Sequence, residues 1–343
     1  MNPELYWIYL FNIIINSILS FYSSVLLVSL FVYFLRIKNP RVQSFCYLLP
    51  FCKIWLDLFF YCFSSWALAF NVNPLLALTG TRTLRVQIDP FFGIQFCMQN
   101  GQTFSLADVV ALSIGLFWVR VIVISIGSGA VIALILCWVR FVRDGKRINR
   151  IIQNALPIHR FILNPKLKSW VNKMKVQFVA SPEIHSPCVA RKKLLFPSSL
   201  IDVLSQQEFE AIIVHEMTHL RCKDCIIRLM CWLISAVFWW IPTQWWRKRV
   251  EELQEKSSDQ AIYQFEISKF ALAEAVLKAA RNTQVSNLRS VISFIENRTI
   301  LTNRMQTILQ QEPTQRTLGG RTIQYGLLGL SLCSILFGKM WIF

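Results

Sequence analysis

The sequence predicts a predominantly α membrane protein with about four transmembrane helices and one polar domain. Hydrophobic residues make up 54% of the 343 residues and charged residues only 16%. Several apolar runs reach the roughly 20 residues that a helix needs to cross a bilayer. The net charge of +17 is concentrated beside those runs, as is typical of membrane topology. No RNA- or DNA-binding motif accompanies this charge, so we expect no direct nucleic-acid partner.

Residues 1–143 are predicted to contain three of the transmembrane helices. The first covers the uncharged stretch between Glu4 and Arg36. The second runs from about residue 44 to 70 and the third from about 108 to 141. A polar, turn-rich loop at residues 71–107 separates them. Since the N-terminus lacks the basic region of a signal peptide, we expect the first helix to be retained as a membrane span.

Basic residues set the predicted orientation. The third span ends in the densest basic cluster, formed by Arg140, Arg143, Lys146, Arg147 and Arg150. The positive-inside rule assigns this cluster to the cytoplasm. Residues 144–321 then form a cytoplasmic domain, and residues 322–343 hold a last span. We therefore expect a multi-pass protein of the cell membrane, in contact with lipid, with the loop 71–107 and both termini outside.

One helix of the cytoplasmic domain carries a motif with chemical meaning. Ser205 and Glu208 form a capping-box pattern that starts a helix, and this helix continues into His215-Glu216-Met217-Thr218-His219. A spacing of four residues puts both imidazoles on one helix face, as two ligands of one zinc ion require. Glu216 is rotated by about 100°, so its carboxylate reaches a metal-bound water instead of the metal. The motif predicts one zinc ion per chain, with Glu216 as the general base of peptide hydrolysis.

A catalytic zinc ion needs a third protein ligand. Cys222 lies about 10.5 Å along the helix axis from His215, too far to share an ion with both imidazoles. The charged helix that follows Arg247 offers Glu255 as a ligand and Asp259 as a hydrogen-bond acceptor for a ligating histidine. Its acids also suit a solvated helix with paired charges. The residues alone leave both interpretations open.

The order of motifs resembles the BlaR/MecR-type membrane-embedded zinc metallopeptidases, which are gluzincin-like. The resemblance rests on Ser186-Pro187, on the apolar segment that ends at Pro197, on the His-Glu-x-x-His helix and on Glu255-x-x-x-Asp259. It implies a small α+β gluzincin-like peptidase domain in the cytoplasm, with Glu255 as the third zinc ligand. It also implies that a strand at residues 189–196 lines the cleft and binds extended substrate, with contacts from Val189, Ala190 and Arg191.

The apolar run at residues 229–246 constrains the fold. The run is long enough to cross the membrane, but a crossing would put His219 and Glu255 on opposite sides. We therefore expect a re-entrant or interfacial helix with a break at Pro242. The site would then lie close to the inner membrane surface.

These features together predict a membrane-bound zinc metalloendopeptidase that cleaves a cytoplasmic or juxtamembrane protein in regulatory signalling. The substrate would be a regulator such as a repressor, or the chain itself. One alternative is a quality-control protease similar to the HtpX and prenyl-protease group. Another is a metal-binding signalling scaffold without proteolysis, which would not need Glu216. Because the sequence ends at residue 343, we expect it to contain no extracellular antibiotic-sensing domain.

Overall fold

A computed structural model describes most of the chain. The described residues are 3–68, 85–89, 93–97, 103–105, 110–111, 113–158, 163–286, 302, 304–310 and 340–342. The three spans predicted in the first part of the chain correspond to helices α1 (Pro3–Phe34), α2 (Pro40–Leu68) and α3 (Leu116–Asn154). The last predicted span, at residues 322–338, lies outside the described residues.

Within the described part of the chain, two helices are long and apolar enough to cross a membrane. They are Ile13–Phe34, which is most of α1, and Leu116–Asn154, which is α3. Helix α2 has 29 residues, which is also sufficient in length, and it packs against α1. These helices agree with the prediction of a membrane protein, while the total of four crossings stays a prediction.

Helix α3 is longer than the span predicted at residues 108–141. It contains 39 residues and continues through the basic cluster to Asn154. At 1.5 Å per residue its length is about 58 Å, whereas the hydrocarbon core is about 30 Å thick. The apolar run ends near Phe141, but no proline occurs between there and Asn154 to break the helix. Helix α3 is therefore long enough to extend from a membrane directly into the polar domain.

Three short strands form in the region that we predicted as a turn-rich loop. They are β1 (Arg85–Asp89), β2 (Gly93–Cys97) and β3 (Thr103–Ser105), and they pair antiparallel in that order. Residues 85–89 alternate polar and apolar side chains, which is the pattern of a half-buried strand. This alternation covers only five residues, whereas the glycines and asparagines around it favoured the prediction of a loop.

The polar domain contains a second, four-stranded sheet in the order β4-β5-β7-β6. Its strands are β4 (Leu156–Pro157), β5 (Gln177–Ser181), β6 (Cys188–Ala190) and β7 (Lys193–Pro197), and helix α4 (Pro165–Met174) lies between β4 and β5. The single strand predicted at residues 189–196 is wrong, because β6 and β7 form an antiparallel hairpin. Arg191 and Lys192 occupy its two-residue turn with φ values of 48° and 61°.

Helix α5 (Ser198–Ile201) leads into helix α6 (Gln206–Cys222), which carries the predicted metal motif. The predicted capping box forms: Glu208 N–H donates to Ser205 Oγ at 3.4 Å, and Ser205 N–H donates to Glu208 Oε2 at 2.8 Å. Phe209, Ile213 and Val214 anchor the helix in a buried apolar core. The start and the rotation of α6 are therefore fixed by contacts independent of any metal.

The apolar run at residues 229–246 forms parts of two helices that pack on each other, α7 (Asp224–Val237) and α8 (Gln244–Asp259). The chain turns between them at residues 238–243, which include the expected break point Pro242. Three indole N–H groups in or after this turn each donate to a different one of the helices α1, α2 and α3. Trp239 donates to Ile126 O in α3, Trp240 to Ser17 Oγ in α1 and Trp246 to Tyr47 O in α2. The turn is thus fixed among the three helices.

The remaining elements enclose the domain and return to the first sheet. A 3-10 helix follows α8 at Gln260–Phe265, and helix α9 (Lys269–Ser286) packs against α6. Residues 304–310 are helical. Strand β8 (Met340–Ile342) pairs antiparallel with β1, so the end of the chain lies beside the region between α2 and α3.

Candidate metal centre

Helix α6 brings the two predicted histidine ligands together. The Nε2 atoms of His215 and His219 lie 3.2 Å apart, and their rings are nearly perpendicular at 84°. Each residue is only 7% exposed. The four-residue spacing thus directs two imidazole nitrogens to one point inside the domain.

Glu255 of α8 supplies the third donor at this point. Its Oε2 lies 3.4 Å from His215 Nε2, and its Oε1 lies 3.4 Å from His219 Nε2. Within the described part of the chain, these three residues form a group of side chains that could hold a metal ion. Glu252 instead pairs with Arg249 on an exposed face. Of the two interpretations left open by the sequence, the metal-binding one fits Glu255.

Each histidine directs its other nitrogen, Nδ1, at a buried carboxylate. Asp259 Oδ1 lies 2.9 Å from His215 Nδ1, as predicted for this aspartate. Asp224 Oδ2 lies 2.8 Å from His219 Nδ1, and Ser258 Oγ lies 3.2 Å from the same atom. When each ring is neutral, the neighbouring carboxylate keeps the proton on Nδ1, and the lone pair of Nε2 faces the centre. The sequence analysis missed Asp224, which stands only five residues after His219.

The donor set fits a zinc ion. Two imidazole lone pairs and a carboxylate converge, an arrangement that a cation stabilises. In a tetrahedron with bonds of about 2.0–2.1 Å, neighbouring donors lie roughly 3.3 Å apart. The Nε2–Nε2 separation of 3.2 Å matches that spacing, and each Nε2 lies 3.4 Å from a different carboxylate oxygen of Glu255. Two histidines and one glutamate also leave a fourth position for water or substrate, as in catalytic zinc sites.

The electrostatics of the cluster depend on these short contacts. Burial disfavours the charged imidazole, but hydrogen bonds to Asp259 and Glu255 outweigh it and raise the pKa of His215 to about 10. Burial would raise the pKa of Glu255, but His215 and Arg304 hold it well below its usual range. The pKa of Asp259 is lowered in the same way. Both acids are thus charged at neutral pH.

Glu216 is available for a role other than metal binding. It follows His215 on α6 but does not belong to the group of donors. Burial raises the pKa of its carboxyl group, although the neighbouring histidines oppose that effect. A carboxylate with a raised pKa accepts a proton more readily near neutral pH, which suits a general base.

Two arginines that the sequence analysis missed contact the third donor. Arg228 Nη2 lies 2.8 Å from Glu255 Oε1. Arg304 Nη2 lies 3.2 Å from Glu255 Oε2 and 3.1 Å from Asp259 Oδ1. No local pattern distinguishes these arginines from the many others in a basic chain. Their contacts hold the glutamate in place between α6 and α8.

Comparison with known families agrees with this centre. Residues 18–308 match the family model described as BlaR1 peptidase M56. The chain belongs to this family. The matched residues include α6, α8 and most of helices α1, α2 and α3. The match to the M56 family therefore covers the candidate metal centre and the helices around it.

Curated relatives of this M56 peptidase are similar over a shorter stretch. The methicillin resistance mecR1 proteins of Staphylococcus aureus and Staphylococcus epidermidis are each 24% identical over 153 residues, or 42% of this chain and 26% of the relative. Regulatory protein BlaR1 of Bacillus licheniformis is 28% identical over 142 residues, or 39% of this chain and 24% of the relative. The matched stretch spans about a quarter of each relative's length.

A cavity of about 200 Å³ opens beside the metal centre of this M56 peptidase. His215, Glu216 and Arg304 form its polar side. Its other walls are mostly apolar and come from α6, α9 and the segment before β6: Ser186, Pro187, Ile212, Leu272, Ala275, Val276, Ala279 and Ala280. The cavity is large enough for one apolar side chain next to Glu216.

The predicted substrate-binding residues lie at the edge of the M56 domain sheet. Val189 and Ala190 belong to β6, whereas Arg191 lies in the turn to β7. Among the described strands, β6 pairs only with β7, so its other edge has no strand partner. The strand begins next to Ser186 and Pro187, which line the cavity with Glu216. An unpaired strand edge thus runs beside the centre.

Proposed function

We propose that this chain is a membrane-bound zinc metalloendopeptidase that hydrolyses peptide bonds of a cytoplasmic or juxtamembrane protein. The observation that carries the proposal is the convergence of three side chains: His215 Nε2 and His219 Nε2 lie 3.2 Å apart, and each lies 3.4 Å from one carboxylate oxygen of Glu255. Membership of a peptidase family supports the same conclusion.

The proposed chemistry divides between the ion and Glu216. His215, His219 and Glu255 would hold one zinc ion per chain, which polarises a carbonyl and lowers the pKa of a bound water to about 7. Glu216 takes the proton of the attacking water and returns it to the leaving amine. Asp259 and Asp224 hold the histidine protons on Nδ1, so that both Nε2 atoms keep their lone pairs.

Substrate binding is proposed at the free edge of β6. An extended peptide would add to this edge by backbone hydrogen bonds to Val189 and Ala190. Arg191, in the adjoining turn, would contact the same peptide. One apolar side chain of the peptide would enter the cavity beside Glu216. This mode favours endopeptidase action, because the edge does not require a chain terminus.

The proposed location is the cell membrane, with the peptidase domain in the cytoplasm and both termini outside. The basic cluster at the end of α3 supports this orientation by the positive-inside rule. The pairing of β8 with β1 is consistent with it, since it puts residues 340–342 beside the proposed outer region. The indole contacts of the α7–α8 turn with α1, α2 and α3 support a metal centre close to the lipid surface.

A role in regulatory signalling is proposed from the relatives, whose names describe methicillin resistance and a regulatory protein. The substrate would be a repressor or another regulator, or the chain itself. The alternatives are a quality-control protease and a metal-binding scaffold without proteolysis. The family match favours the signalling role over the quality-control protease.

Cleavage that depends on Glu216 separates the peptidase from the scaffold. Wild-type protein, Glu216→Gln and Glu252→Gln would be purified in detergent and assayed with casein and for self-cleavage. We expect Glu216→Gln to abolish both reactions with unchanged metal content. Glu252→Gln removes an exposed acid from α8 and should behave as wild type. Equal activity of wild type and Glu216→Gln would contradict the peptidase proposal.

A further inference from the structure

Arg41, the second residue of α2, contacts the polar domain beside the connection between α1 and α2. Its Nη1 lies 2.6 Å from Asp224 Oδ1, and its Nη2 donates to Cys222 O at 3.0 Å. The second contact joins residues that are 181 positions apart in the chain. Asp224 is only 1% exposed, so its charged carboxylate is stabilised by the few groups that contact it.

The two contacts of Arg41 hold the corner between α6 and α7. Cys222 is the last residue of α6, where carbonyl groups lack helical partners. Asp224 is the first residue of α7. One guanidinium group therefore donates a hydrogen bond to a carbonyl at the end of one helix and forms an ion pair with a carboxylate at the start of the next. Lys223 lies between them at a φ of 57°.

Asp224 transmits this contact to the metal centre. Its Oδ1 faces Arg41 while its Oδ2 faces His219 Nδ1 at 2.8 Å. His215 has an equivalent chain of contacts through Asp259 to Arg304. The two chains differ in one respect: Arg304 also touches Glu255 and lines the cavity, whereas Arg41 approaches from outside the centre.

The local structure holds Arg41 in its place. Its backbone N–H donates to Asn39 Oδ1 at 2.9 Å at the start of α2, and its guanidinium lies 5.2 Å from the centre of the Phe45 ring. The position of the guanidinium thus follows the position of the α1–α2 connection.

We propose that Arg41 is a positioning residue for the metal ligand His219 and couples the α1–α2 helix pair to the metal centre. Displacement of this pair withdraws the guanidinium from Asp224, and His219 then loses the acceptor that fixes its ring and its Nδ1 proton. The inference rests on the proposed function, in that it takes zinc as the ion at His215, His219 and Glu255.

The test is zinc affinity of the full-length chain in detergent, measured by competition with a chelator. The visible absorption of cobalt-substituted protein provides a second readout, of coordination geometry. Loss of a group that orients a metal ligand weakens metal binding by about 10–100-fold. We expect Arg41→Ala to lower the zinc affinity about tenfold. Lys38→Ala removes an exposed charge from the same connection and should bind zinc as wild type does.

Two further variants make the test specific. Arg41→Lys keeps a charge beside Asp224 but not both contacts, so it should fold and show intermediate affinity. Arg41→Ala added to Asp224→Asn should change little further, because Arg41 acts through that carboxylate. Wild-type affinity and an unchanged cobalt spectrum in both Arg41 variants would overturn the inference. Absence of zinc binding in the wild type would instead contradict the proposed function.

Discussion

Trp239 lies directly against Gly129, at a distance that leaves no room for a side chain. A Cβ atom at Gly129 would come within 2.6 Å of Trp239 Nε1, and the indole N–H donates to Ile126 O at 3.2 Å. The contact fixes the α7–α8 turn to α3. Because α7 begins at Asp224 and α8 carries Glu255, this turn holds two parts of the metal centre in register.

The first prediction concerns this contact. Gly129→Ala should displace Trp239 and break its hydrogen bond, whereas Gly127→Ala adds the same methyl group to α3 with nothing within 4 Å. Loss of one hydrogen bond with local crowding costs about 1–2 kcal/mol. We expect Gly129→Ala to unfold at a lower temperature than Gly127→Ala in detergent. Equal stability of the two variants would show that the turn is not fixed there.

The second prediction concerns the acids behind the histidines. Asp224→Asn and Asp259→Asn should each weaken zinc binding by about 10–100-fold, because each replaces the charged acceptor of an Nδ1 proton with a neutral amide. Chelator competition would measure this. Asp144→Asn changes an exposed acid on α3 and serves as the control. Unchanged affinity in Asp224→Asn would mean that Asp224 is only a partner of Arg41.

The third prediction is that zinc binds more tightly as pH rises. Neighbouring acids raise the pKa of His215 to about 10, so a proton must leave before its Nε2 can bind an ion. Apparent affinity should then rise about tenfold per pH unit for each displaced proton between pH 6 and 9. An affinity independent of pH would contradict a ligand role for His215.

The same raised pKa has the opposite effect on stability without metal. The pKa of His215 in the folded protein lies above its ordinary value of 6.5. Its contribution to stability is therefore complete below about pH 6.5 and is lost as pH rises toward 10. The unfolding temperature of chelator-treated protein should fall across this range. A rise would contradict the explanation that neighbouring acids raise the pKa of His215.

The fourth prediction concerns the cavity beside Glu216. Ala280→Leu would add a bulky apolar group to its wall. Peptides with leucine or phenylalanine at the matching position should lose about tenfold or more in kcat/KM, while peptides with alanine there should be little affected. Zinc content should not change. An equal loss for all peptides would indicate damage to the centre instead of a smaller cavity.

Local sequence patterns were sufficient for the helix of the metal motif. Ser205 and Glu208 mark its start, and the spacing of His215 and His219 fixes the relation of the two imidazoles to each other. The return of the chain at residues 238–243 followed from one constraint, that His219 and Glu255 must share an ion. In each case the information lies within one helix or in a simple requirement of geometry.

Other features depend on contacts between distant parts of the chain. Arg41 and Asp224 belong to different domains, and Arg304 reaches the centre from beyond α9. Nothing near these residues in the sequence distinguishes them from the other basic and acidic groups. The hairpin at Arg191 and Lys192 escaped prediction for another reason: neither residue is typical of a turn with positive φ.

The zinc content of detergent-purified protein tests the proposed centre most directly. Wild type would be compared with Glu255→Ala and with Glu252→Ala, which removes an exposed acid from the same helix. We predict about one zinc ion per chain in the wild type and in Glu252→Ala, and its loss in Glu255→Ala. A wild-type protein without zinc, or a Glu255→Ala protein that retains it, would contradict the centre formed by His215, His219 and Glu255.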